Sequence, residues 1–128
     1  MLHFLESFAR KERIVTKMPV MSILNQAKGG LPLSASFSAP SDGPACLVLS
    51  GSVWTGTANQ MIGVGLELDG VLLGSASIFS NLATTHRAVV PSYIPVNLTF
   101  GTHKLTLVPT TATTTSDFND LFDVVLIY

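Results

Sequence analysis

The chain has 128 residues, a formal net charge of −1, one cysteine and only 12% charged residues, against about 25% in an ordinary soluble domain. That length suits one domain able to bury roughly 70% of the surface its unfolded form exposes, and a single cysteine excludes an intramolecular disulfide framework. The longest uncharged stretch, residues 43–66, is broken by Pro44, Gly51, Gly56, Asn59 and Gln60, so it lacks the roughly 20 apolar residues of a spanning helix and no membrane span is expected.

Residues 1–17 place Leu2, Leu5, Phe8 and Ala9 at helical spacing, which predicts a short amphipathic helix or irregular segment. Pro19 then pushes Met18 out of the α region and ends it. Residues 1–28 carry five cations against two acids, while the remainder carries two against six. Without interleaved glycines or aromatics, this basic segment reads as a solvated leader and not as a nucleic-acid arm. Its apolar residues precede its charges, the reverse of a secretory signal, so cytoplasmic synthesis without that signal is expected.

From residue 31 the texture changes to short apolar runs separated by Gly, Pro, Ser, Thr and Asn. The predicted strands are 31–38, 45–54, 61–69, 71–79, 85–90, 93–100, 102–108 and 121–128. The clearest signal lies in the third and fourth: Ile62, Val64, Leu66 and Leu68 alternate with Gly63, Gly65 and Glu67 up to Asp69-Gly70, a two-residue hairpin signature. The expected fold is all-β: an antiparallel, jelly-roll-like sandwich of about eight strands over 31–128, preceded by a leader or arm over 1–30.

Two strands look apolar on both faces. Phe122, Val124, Leu126 and Tyr128 share one side of the last strand while Val125 and Ile127 fill the other. Leu72, Ala76 and Ile78 are read as the outward set of the hairpin's second strand. A two-layer sandwich covers one face of each sheet, so Leu72, Ile78, Val125 and Ile127 are the expected subunit interface of a homo-oligomer, trimer favoured.

Eight short strands, a hydrophobic last strand, low charge and a second apolar sheet face resemble the trimeric jelly rolls of tumour necrosis factor and complement-type globular heads, and of virus or phage fibre heads. The run from Gly101 to Leu107, followed by Asp117-Phe118-Asn119-Asp120, is similar to strand pairs in bacterial sandwich and carbohydrate-binding modules. The resemblance covers about residues 31–128 and implies an architecture; it assigns no residue a role.

Candidate chemistry is sparse. Asp117, Asn119, Asp120 and Asp123 supply enough oxygens to interest Ca²⁺, but they lack a twelve-residue calcium-loop pattern and read as turn residues leading into the last strand. His86 and His103 would form a metal or acid–base pair with Glu67 or Asp69 only if neighbouring strands brought them together; His103 shares the parity of Leu105 and Leu107 and reads as a buried, hydrogen-bonded side chain. No Gly-x-Ser-x-Gly elbow or phosphate loop occurs, so no catalytic residue, metal ligand or cofactor is assigned and an enzyme is not expected. Cys46, in an apolar run, reads as a small buried hydrophobe. Trp54 with Asn59 and Gln60 would combine an apolar face with amide hydrogen bonds. The function expected is therefore a non-catalytic self-assembling structural or recognition module, such as a virion, fibre or surface-assembly component. In that module the loops at Trp54, Asn81 and residues 110–116 are left to meet a glycan or protein partner, and the alternative is a carbohydrate-binding module using Trp54, Asn59 and Gln60.

Overall fold

The computed structural model describes residues 19–128. The helix expected over residues 1–17 lies outside the described residues. Nine strands run in chain order: β1 (Val20–Lys28), β2 (Leu33–Ala39), β3 (Gly43–Val53), β4 (Gln60–Leu68), β5 (Val71–Ser80), β6 (Arg87–Ala88), β7 (Ser92–Leu98), β8 (Gly101–Pro109) and β9 (Leu121–Ile127). The first sheet has the order β1-β9-β3-β7, with the short β6 also on β3. The second has the order β2-β8-β4-β5. Every pairing is antiparallel, and no helix occurs among the described residues. The fold is an antiparallel β-sandwich, as the alternating sequence predicts.

Alternation places the core. Leu47, Leu49 and Val53 of β3 and Phe122, Val124 and Leu126 of β9 face Ile62, Val64 and Leu66 of β4 and Leu105 and Leu107 of β8, all fully buried. At about 25 cal/mol per Å² of apolar surface removed from water, each such side chain contributes about 1.5–3 kcal/mol. Gly51 is required by this packing. A Cβ there would lie 2.5 Å from Phe122 Cδ1 and 2.9 Å from the Leu121 carbonyl oxygen. The β4–β5 hairpin closes through Asp69 (φ 50°) and Gly70 (φ 84°), two successive left-handed residues as a type I′ turn demands.

The structure departs from the sequence reading in three places. The segment read as a leader contributes β1, which pairs with β9 from Val20↔Ile127 to Lys28↔Leu121. Its period is hidden because the register shifts between Ser22 and Leu24 and again between Leu24 and Ala27, with Gln26 at φ 50°; each bulge inserts a residue and breaks the alternation. A further register shift passes Leu73, since Leu66 pairs with Gly74 and Glu67 with Leu72. Leu72 therefore faces outward, 61% exposed, whereas Ile78 packs against the core opposite Ile62. Cys46 is not a core residue: its neighbour Leu47 faces inward, and Cys46 sits half-buried on the outer side beside Pro95 and Ile127.

That outer side is apolar across four strands. One row runs Tyr93, Val48, Val125, and the next runs Pro95, Cys46, Ile127, Val20. Leu72 lies on the opposite outer face, where its side chain would meet a Cβ placed on Gly65. The four residues expected to form one interface thus divide between two outer faces and the core.

Candidate functional site

Antiparallel pairing sends the connections 29–32, 54–59, 81–86 and 110–120 to the same end of the sandwich. They are tied to one another there. Trp54 and Thr115 exchange backbone N–H···O bonds of 2.9 and 2.8 Å, and the Thr84 N–H donates to the Thr55 carbonyl at 2.7 Å. Ser116 Oγ accepts from the Leu31 N–H at 2.8 Å and donates to the Gly29 carbonyl at 2.9 Å. Thr114 Oγ1 accepts from the Gly63 N–H at 3.2 Å and bonds Thr111 Oγ1 at 2.7 Å. Loops so fastened present side chains in fixed relation.

The centre of this end is Asp120, fully buried. Its Oδ1 takes the Ser52 hydroxyl at 2.7 Å and His86 Nδ1 at 2.7 Å, and its Oδ2 takes the Asp117 N–H at 2.8 Å. Asp117 Oδ1 in turn accepts the Asn119 N–H at 2.8 Å, and the Asp120 N–H donates to the Asp117 carbonyl at 3.0 Å. Residues 117–120 are therefore a side-chain-stabilised turn leading into β9. The hydrogen bond to Asp120 raises the His86 pKa; burial opposes that rise, and the charges of Asp120 and Asp117 add to it. The hydroxyl of Ser52 is wired to the carboxylate and not to the imidazole, so this trio is not arranged as nucleophile, base and orienter.

Trp54 packs its ring against His86, with centroids 5.9 Å apart and planes at 44°. It is half-buried, and its Nε1 has no hydrogen-bond partner among the described residues. Asn59 is exposed in a left-handed conformation, φ 60°, and Gln60 opens β4 half-buried, accepting from Thr113 Oγ1 at 3.5 Å. All three lie at the same end as His86, as do Asn81, which accepts from Arg87 at 2.8 Å, and the tract 110–116. Phe118 was not singled out by sequence reasoning; it is 79% exposed between Asp117 and Asn119. The signal available for it was an aromatic residue within a run of turn formers.

His86 and His103 do not meet. His103 sits on β8 at the opposite end, where Nδ1 lies 2.6 Å from Asp69 Oδ2 and Nε2 lies 2.7 Å from the Thr99 carbonyl oxygen. Its side chain is 11% exposed and tilts against Phe37. Asp69 Oδ1 also accepts the Lys104 N–H at 2.9 Å. The Asp69 hydrogen bond, and then the Thr99 carbonyl, raise the His103 pKa against an opposing burial effect, and the bond to His103 lowers that of Asp69. Asp69 thus belongs to this staple and does not pair with Glu67. Asp123 is held apart as well: on β9, opposite Ser50, it accepts the Gln26 N–H at 2.9 Å.

No family model and no curated protein matches the sequence. Among solved structures, the fold is similar to part of dimeric latent PorU from Porphyromonas gingivalis, with 14% identity and a TM-score of 0.53 over 84% of this chain and 12% of that one. It is similar to a family 35 carbohydrate-binding module from Clostridium thermocellum, with 16% identity and a TM-score of 0.50 over 84% of this chain and 87% of that one. A family 35 module from an environmental isolate matches at 12% identity and a TM-score of 0.50, over 88% of each chain. These likenesses establish the sandwich fold. The chain spans about an eighth of PorU but most of each of the two modules.

Proposed function

We propose that this sandwich is a non-catalytic recognition module that binds carbohydrate at the loop end carrying Trp54, His86, Asp117, Phe118 and Asn119. The observation that carries the reading is Phe118, 79% exposed and flanked by a carboxylate and an amide on a turn held by Asp120. An exposed ring presents an apolar face to the C–H side of a pyranose while Asp and Asn meet its hydroxyls. The likeness to two modules described as carbohydrate-binding, each covered over most of its length, supports the same reading.

A sugar face covering about 50 Å² of the ring contributes about 1 kcal/mol, so removing the ring should weaken binding roughly five- to tenfold. The test is a polysaccharide and oligosaccharide panel probed with the wild type, followed by calorimetry on Phe118→Ala. Retention of at least one glycan, weakened by the substitution, is expected. Failure to retain any glycan, or equal affinity in Phe118→Ala, would sink the proposal.

A second reading, self-assembly, rests on the apolar outer face of the first sheet, where Val48, Val125, Cys46 and Ile127 lie side by side across β3 and β9. It predicts an oligomer by light scattering that Val125→Asp dissociates, because an unpaired charge buried between subunits is costly. A wild-type monomer would remove this reading and leave the glycan proposal standing.

A further inference from the structure

His86 is gripped by one carboxylate and faces a second. With Nδ1 donating to the buried Asp120, the neutral imidazole carries its lone pair on Nε2. Asp117 Oδ2 lies 3.9 Å from that Nε2, too far for a hydrogen bond. The other Asp117 oxygen is engaged by the Asn119 N–H, which leaves Oδ2 as the free oxygen and the one turned toward the ring.

Zinc–nitrogen and zinc–oxygen bonds of about 2.0–2.2 Å place two ligands about 3.4 Å apart at a tetrahedral angle and no more than about 4.3 Å apart at any angle. A separation of 3.9 Å fits a shared cation after a few tenths of an ångström of rotation by Asp117, whose side chain is 42% exposed. The donor atoms of His86, Asp117 and Asp120 all lie within 4.8 Å of one another. Asp120 stands behind the ring as the carboxylate that metal-bound histidines commonly use to fix tautomer and orientation. Both of its oxygens already accept, Oδ1 from Ser52 and His86 and Oδ2 from the Asp117 backbone, and the Trp54 ring packs against the imidazole from the side.

We propose that His86 Nε2 and Asp117 Oδ2 form the protein half of an open site for a borderline divalent cation of the zinc type, with Asp120 as the positioning residue. An imidazole–carboxylate pair selects zinc, nickel or copper over calcium and magnesium, which take oxygen ligands. The remaining positions stay open to water or to an incoming oxygen ligand. The site shares His86 and Asp117 with the proposed carbohydrate surface, but metal uptake needs no glycan and is read out independently of it.

The test is calorimetric titration of the full chain with zinc chloride at neutral pH, followed in parallel by the NMR signals of the histidine rings. One zinc per chain is expected, with the His86 ring shifted and the His103 ring unmoved. Both His86→Gln and Asp117→Asn should weaken binding at least about tenfold, because losing a ligand costs no less than losing its second-shell partner. Absence of zinc uptake would overturn the site, as would uptake that leaves the His86 ring unmoved or survives His86→Gln. Saturation by calcium in place of zinc would overturn the cation class.

Discussion

Raising the pH should loosen the end of the sandwich that holds His103, by an amount the hydrogen bonds allow to be worked out. Asp69 Oδ2 and the Thr99 carbonyl both only accept, at 2.6 and 2.7 Å, so these partners favour the imidazolium, which donates from both ring nitrogens. Bonds to a charged group contribute about 1.5–3 kcal/mol when sheltered. The Asp69 side chain is 51% exposed, and solvent screening brings the expected net contribution down to about 1 kcal/mol. His103 has a raised pKa in the folded state, so its contribution is full below the ordinary histidine value of 6.5 and is lost as pH rises through the folded value. Asp69 has a lowered one, so its contribution is full above the ordinary value of 3.8 and is lost as pH falls through the folded value. The staple is therefore strongest between those two ordinary values. Urea unfolding of the wild type and His103→Gln, followed by the fluorescence of the single tryptophan, should differ by about 1 kcal/mol near pH 5.5, and the gap should shrink as the pH rises through the raised folded-state pKa of His103. His86 titrates in both proteins and cancels in the difference. A gap that stays flat or widens with pH would refute the imidazolium assignment.

Three further outcomes follow from packing and hydrogen bonding. Gly51→Ala forces a Cβ against Phe122 and the Leu121 carbonyl and should cost about 1–3 kcal/mol. Adding Phe122→Leu should recover part of that, and strictly additive urea midpoints would reject the contact as the cause. Thr114→Val strands the Gly63 N–H, which Thr114 Oγ1 accepts inside the fold, and should cost about 1–2 kcal/mol with faster exchange at the Gly63 amide; unchanged exchange would count against it. Gly70→Val places a β-branched residue at φ 84° and should lower the urea midpoint by the equivalent of about 1 kcal/mol or more; an unchanged midpoint would show that the turn tolerates it.

The sandwich was legible wherever a strand kept period two, as in β4, whose alternation and Asp69-Gly70 ending are local facts of the chain. It was illegible where a bulge intervened. The register shifts of β1 turn Ile23 and Leu24 into neighbours with no readable period, and the one at Leu73 sends Leu72 outward and Ile78 inward against simple parity. The loop end was partly legible: Trp54, Asn81 and the tract 110–116 were expected to face a partner, and they do share one end. The bond between His86 and Asp120 spans 34 residues and depends on which connections antiparallel pairing brings together, information that no local pattern contains. His103 illustrates the converse, since its parity with Leu105 and Leu107 was enough to mark it as an anchored side chain.

The place of β9 in the first sheet bears on how this chain reaches its fold. It pairs with β1 on one side and β3 on the other, so within the first sheet residues 121–127 lie between those two early strands. A nascent chain that has not yet delivered this segment holds two apolar strands with open edges facing the position it will occupy. Such long sequence separations slow folding toward the millisecond-to-second range seen for all-β domains. During that interval any strand of similar apolar pattern can enter the gap, including β9 of another copy, which makes strand exchange the characteristic hazard of this topology.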